Sequence, residues 1–440
     1  VFDFKQNYYR TGGTETTLSP AVTHTRAGNA TMVDSNGLLK WAPYNLLAYS
    51  QDFSSWPTSS NVTITSNTTI APDGTTTADS AIFDGNDNAR VEQSITQTGS
   101  RVLAVWMKVP SGTQGVYIGF TSGDLSLVTV TDQWVLYSYE SANGTYPRIN
   151  CRDIATVHIW GAHVYRSDLV GMVNNPATGD SYVPTTNSAV YLPRVGHHIY
   201  NGSAWVNEGV LHESEARTNL LLNSGDLSTG WSSPFTVGAV TAGSPFGTYQ
   251  TASPTASSYQ TYQIGKTLTS GSTYAGSALL KYSAGNGWCA INLYTGNIRR
   301  VYFDLQNGVV GSQTSGILDY GMIDYGDGWW LCYATRSASS TSGGFVFEIV
   351  TGDNTSARDP SDVILVAGTQ FEQGSTPSSY IPTTSASVTR AAETLTVPAA
   401  NLPWPTPVEV TGIELVTNGD FSSGTTGWVD GTTYSGALDA

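Results

Sequence analysis

The chain has 440 residues with 19 basic and 34 acidic side chains, a formal charge of −15, and only 12% of it is charged. An acidic balance without any cluster of Lys and Arg excludes nucleic acid as a partner, because phosphate neutralisation needs grouped cations. No apolar run approaches the ~18 residues of a membrane span, so no membrane insertion is expected, and Ser, Thr, Asn, Gly and Tyr supply surface polarity in place of charge.

In chain order, residues 1–44 carry Pro and read as a strand-poor N-terminal arm. Residues 45–186 then open on NLLAYSQDFSSW (45–56) and close on YVPTTNSAVYLPR (182–194). A second arm, 187–217, leads to residues 218–384, which open on NLLLNSGDLSTGW (219–231) and close on YIPTTSASVTR (380–390). A third arm, 385–412, precedes residues 413–440, where ELVTNGDFSSGTTGW (414–428) begins the phrase again and breaks off. A repeat of this length is a whole domain copied in tandem rather than a short solenoid turn. The unfinished third copy and the start at Val1 lead us to expect a stretch of a longer modular protein.

Within each copy helical periodicity is absent, and Gly and Pro interrupt the sequence nearly every ten residues. Short runs rich in Val, Ile, Thr, Tyr and Trp lie between them. RVLAVWMKVPSG (101–112) matches YAGSALLKYSAG (274–285), and TDQWVLYSY (131–139) matches GDGWWLCYA (326–334). The fold class is therefore all-β: tandem antiparallel β-sandwiches of the jelly-roll kind, joined by arms. Each arm junction carries an Arg (Arg26, Arg194, Arg390), the first in a partial form of the closing phrase, SPAVTHTR (19–26). Trp41, Tyr200, Trp205 and Trp404 are costly to leave in water along a flexible tether, so the arms are expected to be ordered against their own sandwich or a neighbouring chain. Three cysteines make no disulfide framework, although Cys289 and Cys332 share one copy and could pair.

The run THTRAGNATMVDSNGLLKWAPYNLLAYSQDF (23–53), APDGTTTADS (71–80), EARTNLLLNS (215–224), GDGWWLCYATRS (326–337) and the YVPTT and YIPTT phrases resemble phage head-spike and tail-fibre virion proteins. Those proteins carry jelly-roll domains like carbohydrate-binding modules. The resemblance covers essentially the whole chain. It implies a structural protein exposed on the virion surface, commonly a homotrimer, bound to other virion proteins and touching host cell-surface glycans. A W-G-A-Q-L-E phrase frequent in that family survives here only as Trp160-Gly161-Ala162 in one copy and as Gln370-Phe371-Glu372 in the other. The competing readings are a secreted bacterial glycan-binding adhesin and a polysaccharide depolymerase.

No catalytic site is expected. Glu213 and Glu215 lie in an arm, and Asp319, Asp324 and Asp327 fall in a Gly-rich turn region where acidic residues are ordinary. His158 and His163 are separated by an odd number along a strand, which sends them to opposite faces, and the adjacent His197 and His198 diverge likewise. Asp52, Asp226 and Asp420 recur in the opening phrase. They leave room for a structural calcium, the only cofactor considered, but read more simply as turn caps. Aromatics give the best lead. Trp134 with Leu136, and Trp329 with Leu331, share one strand face and read as core. The opposite face then offers Tyr137 and Tyr139 in the first copy and Trp330 in the second, as platforms for a sugar ring or as contacts to an arm or subunit.

Overall fold

Alternating apolar residues set the strands, and turn residues end them. In a computed structural model, which describes residues 1–402 apart from 97–98, 122, 143 and 233–234, all the pairings between named strands are antiparallel and helix is confined to three short turns. Trp404, Asp420 and the third opening phrase lie outside the described residues. Among the described residues no helix is long and apolar enough to cross a membrane.

The first sandwich stacks two five-stranded sheets. One runs Val135–Ser141, Arg101–Lys108, Ile154–Arg166, Ala78–Asp84, Val62–Thr69; the other runs Leu125–Thr131, Thr113–Gly119, Arg148–Asn150, Arg90–Glu92, Thr58–Ser60. Leu103, Val105 and Met107, every second residue of one strand, are fully buried between them with Phe83, Val116 and Ile159. The second sandwich pairs a seven-stranded sheet, centred on Val363–Gln373, Thr273–Ala284 and Trp329–Ser337, with a five-stranded sheet centred on Trp288–Tyr294. Cys289 and Cys332 lie in its core as free thiols, not as a disulfide.

The repeated phrases are staples. Asn45 donates to the carbonyls of Ala162 (3.0 Å) and Val183 (2.9 Å) and accepts from the amides of Leu47 and Val164. Asn219 does the same with Thr369, Ile381, Leu221 and Phe371. Ser50 meets the Tyr182 hydroxyl at 3.0 Å, and Ser224 meets Tyr380 at 2.7 Å. Opening and closing phrases are thus hydrogen-bonded to each other in each copy. That satisfies buried polar groups and fixes where the chain enters and leaves the sandwich.

The arms contain more strand than their sequence suggested. Thr31–Val33 pairs with Leu39–Trp41, Arg194–Tyr200 pairs with Trp205–Leu211, and Thr23–Arg26 pairs with Glu393–Thr396, which joins the first arm to the third. These strands are short and partly polar, and one of the three pairings joins segments far apart in the chain, so local alternation could not reveal them. Trp41 is 3% exposed, with its indole N–H on Asp168 (2.9 Å) and the Arg166 guanidinium over its ring. Trp205 lies on Gly37, where a Cβ would overlap its indole, and beside Tyr325. Trp41 is therefore covered within its own chain, Tyr200 and Trp205 are half-covered, and Tyr8 stays exposed.

The three junction arginines converge on two carboxylates. Glu393 binds Arg26 at 2.5 Å and Arg194 at 2.8 Å; Glu213 binds Arg194 at 2.7 Å and Arg390 at 3.1 Å. Arg26 and Arg194 side chains are 0% exposed and that of Glu393 is 1%. Backbone carbonyls of Gly28, Leu192, Thr31 and Ala391 take further guanidinium donors. Buried charge is tolerable only when paired and hydrogen-bonded in this way, and removing one partner typically costs about 3–5 kcal/mol. This hub ties three arms, residues 26, 194 and 390, to one point beside the second sandwich.

Candidate functional site

The outer face of the larger sheet differs between the copies, and its residues follow from pairing register. Across the first sandwich, Lys108 pairs with His158, and Trp106 with Trp160. Since Leu103, Val105 and Met107 point inward, Ala104, Trp106 and Lys108 point outward. Trp134 continues this face beyond the strand end: its indole N–H donates to the Ile70 carbonyl (2.9 Å), and the Lys108 ammonium sits 5.1 Å from its ring centroid. Trp106, Lys108, Trp134 and His158 are half-buried, around a floor of buried Trp160 and Tyr182. Lys108 has no ion-pair partner among the described residues. His158 shares a hydrogen bond with Ser80 (2.9 Å), and burial, then Lys108, hold its pKa below the usual imidazole value. The patch combines aromatic surface with hydrogen-bond donors, which is the chemistry that grips a sugar's C–H face and hydroxyls.

In the second sandwich the equivalent face is closed. Trp329, the counterpart of Trp134, is 2% exposed and packs with Phe246, Leu279, Tyr380 and the arm residues Val33 and Leu39. Trp205 and Tyr325 complete the lid.

This placement corrects the assignment of faces. Trp134 with Leu136, and Trp329 with Leu331, do share a face, but it is the outer one in both copies. Trp330 pairs with the fully buried Leu280 and packs against the sandwich core, close under Gly308. It is not an outward platform. Tyr137 and Tyr139 also lie against the core of the first sandwich, with their hydroxyls donating to the Thr129 carbonyl (2.9 Å) and to Asp124 (2.6 Å). Period 2 says which residues share a face, not which face is inside. Here the arms make both faces of the second sheet apolar, so the pattern had no polar side to break the tie.

The histidines are corrected too. Gly161, at φ +64°, forms a bulge in Ile154–Arg166 that shifts the register between Ala104 and Trp106, so that His158 and His163 reach the same outer face. His163 is fully buried, stacked on Tyr165 and hydrogen-bonded to Ser181 (2.8 Å). His197 accepts the Val33 amide at 3.1 Å, which pins the first arm to the second. Asp52 and Asp226 are turn caps. Asp52 accepts from the Ser54 amide and the Ser54 and Ser55 hydroxyls, Asp226 from the Ser228 amide and hydroxyl and from Gln250. Their oxygens are occupied by these donors, and no acidic cluster of metal-binding size occurs among the described residues. The Glu213–Glu215 pair is engaged as well: Arg194 and Arg390 hold Glu213 below the usual carboxylate range despite its burial, the opposite of a general acid, and Glu215 pairs with Arg217 at 2.8 Å.

Sequence reasoning missed Trp106 and Lys108, read Trp134 as core, and named His158 and Trp160 without placing them in a site. Their signal was the pair of tryptophans flanking Met107 and Gly161, legible once the bulge is known.

No family model matches the chain, and no curated protein matches it. Among solved structures it is similar to the tandem CBM22-1–CBM22-2 domain of Xyn10C from Paenibacillus barcinonensis, at 13% identity and TM-score 0.26, covering 76% of this chain and 98% of that one. It is also similar to the tandem CBM51 modules of Sp3GH98 from Streptococcus pneumoniae, at 8% identity and TM-score 0.20, covering 80% and 100%. A truncated AlyQ with CBM32 and alginate lyase domains follows at 9% identity and TM-score 0.19, covering 80% and 99%. At that level of likeness the chain's own side chains have to carry any statement about ligands.

Proposed function

We propose that this chain is a non-enzymatic segment of a bacteriophage head or tail appendage, exposed on the particle surface, that binds host-surface glycans through the outer face of its first sandwich. One observation carries the adhesion reading: of two equivalent sheet faces, the arms close one and leave the other with half-exposed Trp106, Trp134, Lys108 and His158. A face that served only packing would not need two tryptophans at the surface beside a lysine with no ion-pair partner among the described residues. The virion assignment rests on the sequence phrases quoted above. The buried hub of three arginines and two glutamates suits a stiff shaft, because it prevents the two sandwiches from swinging on flexible linkers. A homotrimer belongs to the same proposal, built through surfaces other than Trp41, which is already covered.

The test is binding of the purified chain to host-surface polysaccharide, for instance by affinity electrophoresis. An aromatic platform is worth about 1–3 kcal/mol, so Trp134→Ala should weaken binding about 5- to 150-fold. Unchanged affinity in both Trp134→Ala and Trp106→Ala would remove this face from the function.

A further inference from the structure

The closed face of the second sandwich is not packed solid. Between it, the Arg194–Leu211 hairpin and the first arm lies a cavity of about 390 Å³. Protein interiors leave few voids larger than a water molecule, whereas small-molecule sites occupy about 300–1,000 Å³. Trp205, Phe246 and Tyr380 give the cavity aromatic walls. Ser277, Tyr200 and Tyr325 also line it, and their hydroxyls form no hydrogen bond among the described residues.

Ser277 is informative because it is 5% exposed and sits where the first copy has Ala104. Its hydroxyl is not sealed from water, and a polar group placed there only in the copy with the cavity suits contact with a polar occupant. The charged groups on the wall are already engaged. Glu213 binds Arg194 and Arg390, and Asp324 accepts the Gly326 amide at 2.7 Å. Two carboxylates disfavour an anion, and the arginines beside Glu213 disfavour a cation.

We propose that this cavity is a second binding site, for a short neutral saccharide held between aromatic walls by the Ser277, Tyr200 and Tyr325 hydroxyls. It is independent of the open face of the first sandwich, so the two readings can fail separately.

The experiment is titration of the full chain with glucose, galactose, N-acetylglucosamine, maltose and lactose at millimolar concentrations, followed by calorimetry or saturation-transfer NMR. At least one should bind. Ser277→Leu, which fills the cavity, should abolish that binding. Tyr200→Phe keeps the ring and should weaken binding about five- to tenfold with an unchanged melting temperature. Trp134→Ala should leave it intact. The proposal is overturned if none of the five sugars binds, or if binding disappears in Trp134→Ala and persists in Ser277→Leu. Should Ser277→Leu fail to fold, full affinity in Tyr200→Phe overturns it instead.

Discussion

Trp134 and Trp329 occupy the same place in two copies of one fold and have different fates. One is half-exposed beneath Lys108; the other is 2% exposed beneath two arms, with Lys281 at 6.0 Å in the matching position. The rest of each face is adjusted to that fate. Where the arms land, the chain has Leu279 and Ala367; the open copy has Trp106 and Trp160 at the matching positions. Smaller side chains give the arms a flat bed, while large aromatics build relief on a surface that stays open. The sandwich sets the scaffold, and segments outside it decide whether a face becomes core or contact surface.

The largest expected effect breaks this comparison directly. Trp329→Ala removes a buried indole among Phe246, Leu279 and the arms and should cost about 3–5 kcal/mol. Trp134→Ala, at a half-open position, should cost about 1 kcal/mol and leave the fold cooperative. Denaturant melts of the two variants measure both numbers. Equal losses would show that the arms contribute little to the second face. Trp330→Ala belongs with Trp329→Ala, since its ring packs on the core and not in solvent.

Acid sharpens the comparison by acting on different groups in the two regions. Burial pushes His163, in the first sandwich, and His197, between the arms, down to about 4; Arg194 and His198 add to the effect at His197. An unfolded histidine titrates near 6.5. Above that value both contribute fully to stability. As the pH falls towards about 4, the unfolded chain takes up protons that the fold excludes, and the contribution is lost. Glu393 acts lower. Burial alone would raise its pKa, but hydrogen bonds from Arg194 and the charges of Arg194 and Arg26 hold it well below the carboxylate range. Its stabilisation is full above ~4.3 and is lost on further acidification. The melting temperature should therefore fall in two stages. His163→Gln, which installs the residue of the second copy (Gln370), should flatten part of the first stage, and Glu393→Gln should remove most of the second while lowering stability at neutral pH. A pH profile unaltered by His163→Gln would mean that His163 does not limit the first sandwich.

Much of the fold was legible because its determinants are local and repeated. Asn45 and Asn219 recur because each ties the start of its copy to the end, and that recurrence set the copy number. Turn-capping by Asp52 and Asp226 was legible for the same reason. The site was less legible because its determinants are not local. The bulge at Gly161 reverses the facing of everything after it in the strand, and a single glycine does not announce a positive φ. Nor does the sequence show that residues 31–39 and 194–211 come to lie on a sheet face far along the chain, which inverted inside and outside for Trp329 and Trp330. The arginines at 26, 194 and 390 were visible as a repeat, but their meeting at Glu213 and Glu393 depends on the path of all three arms.

The smallest expected effect concerns a position at which the copies agree. Asp52 and Asp226 each accept a backbone amide two residues ahead and the hydroxyl of the same serine, at 2.6 Å and 2.5 Å. Burial pushes both carboxyls up, but hydrogen bonds from Ser54 and Ser55 in one copy, and from Ser228 and Gln250 in the other, outweigh it and hold both below the usual value. A carboxylate used this way stabilises one turn, and its loss should cost about 1 kcal/mol, as at other side-chain caps. Asp52→Ala and Asp226→Ala should therefore lower the melting temperature slightly and by similar amounts. A calcium ligand would behave differently, because an ion bound only by the fold stabilises it in proportion to the logarithm of its concentration. Melts in millimolar calcium and in chelator separate the cases. Superimposed wild-type curves identify the aspartates as caps, and a calcium-dependent rise abolished by either substitution would return the ion to the opening turn.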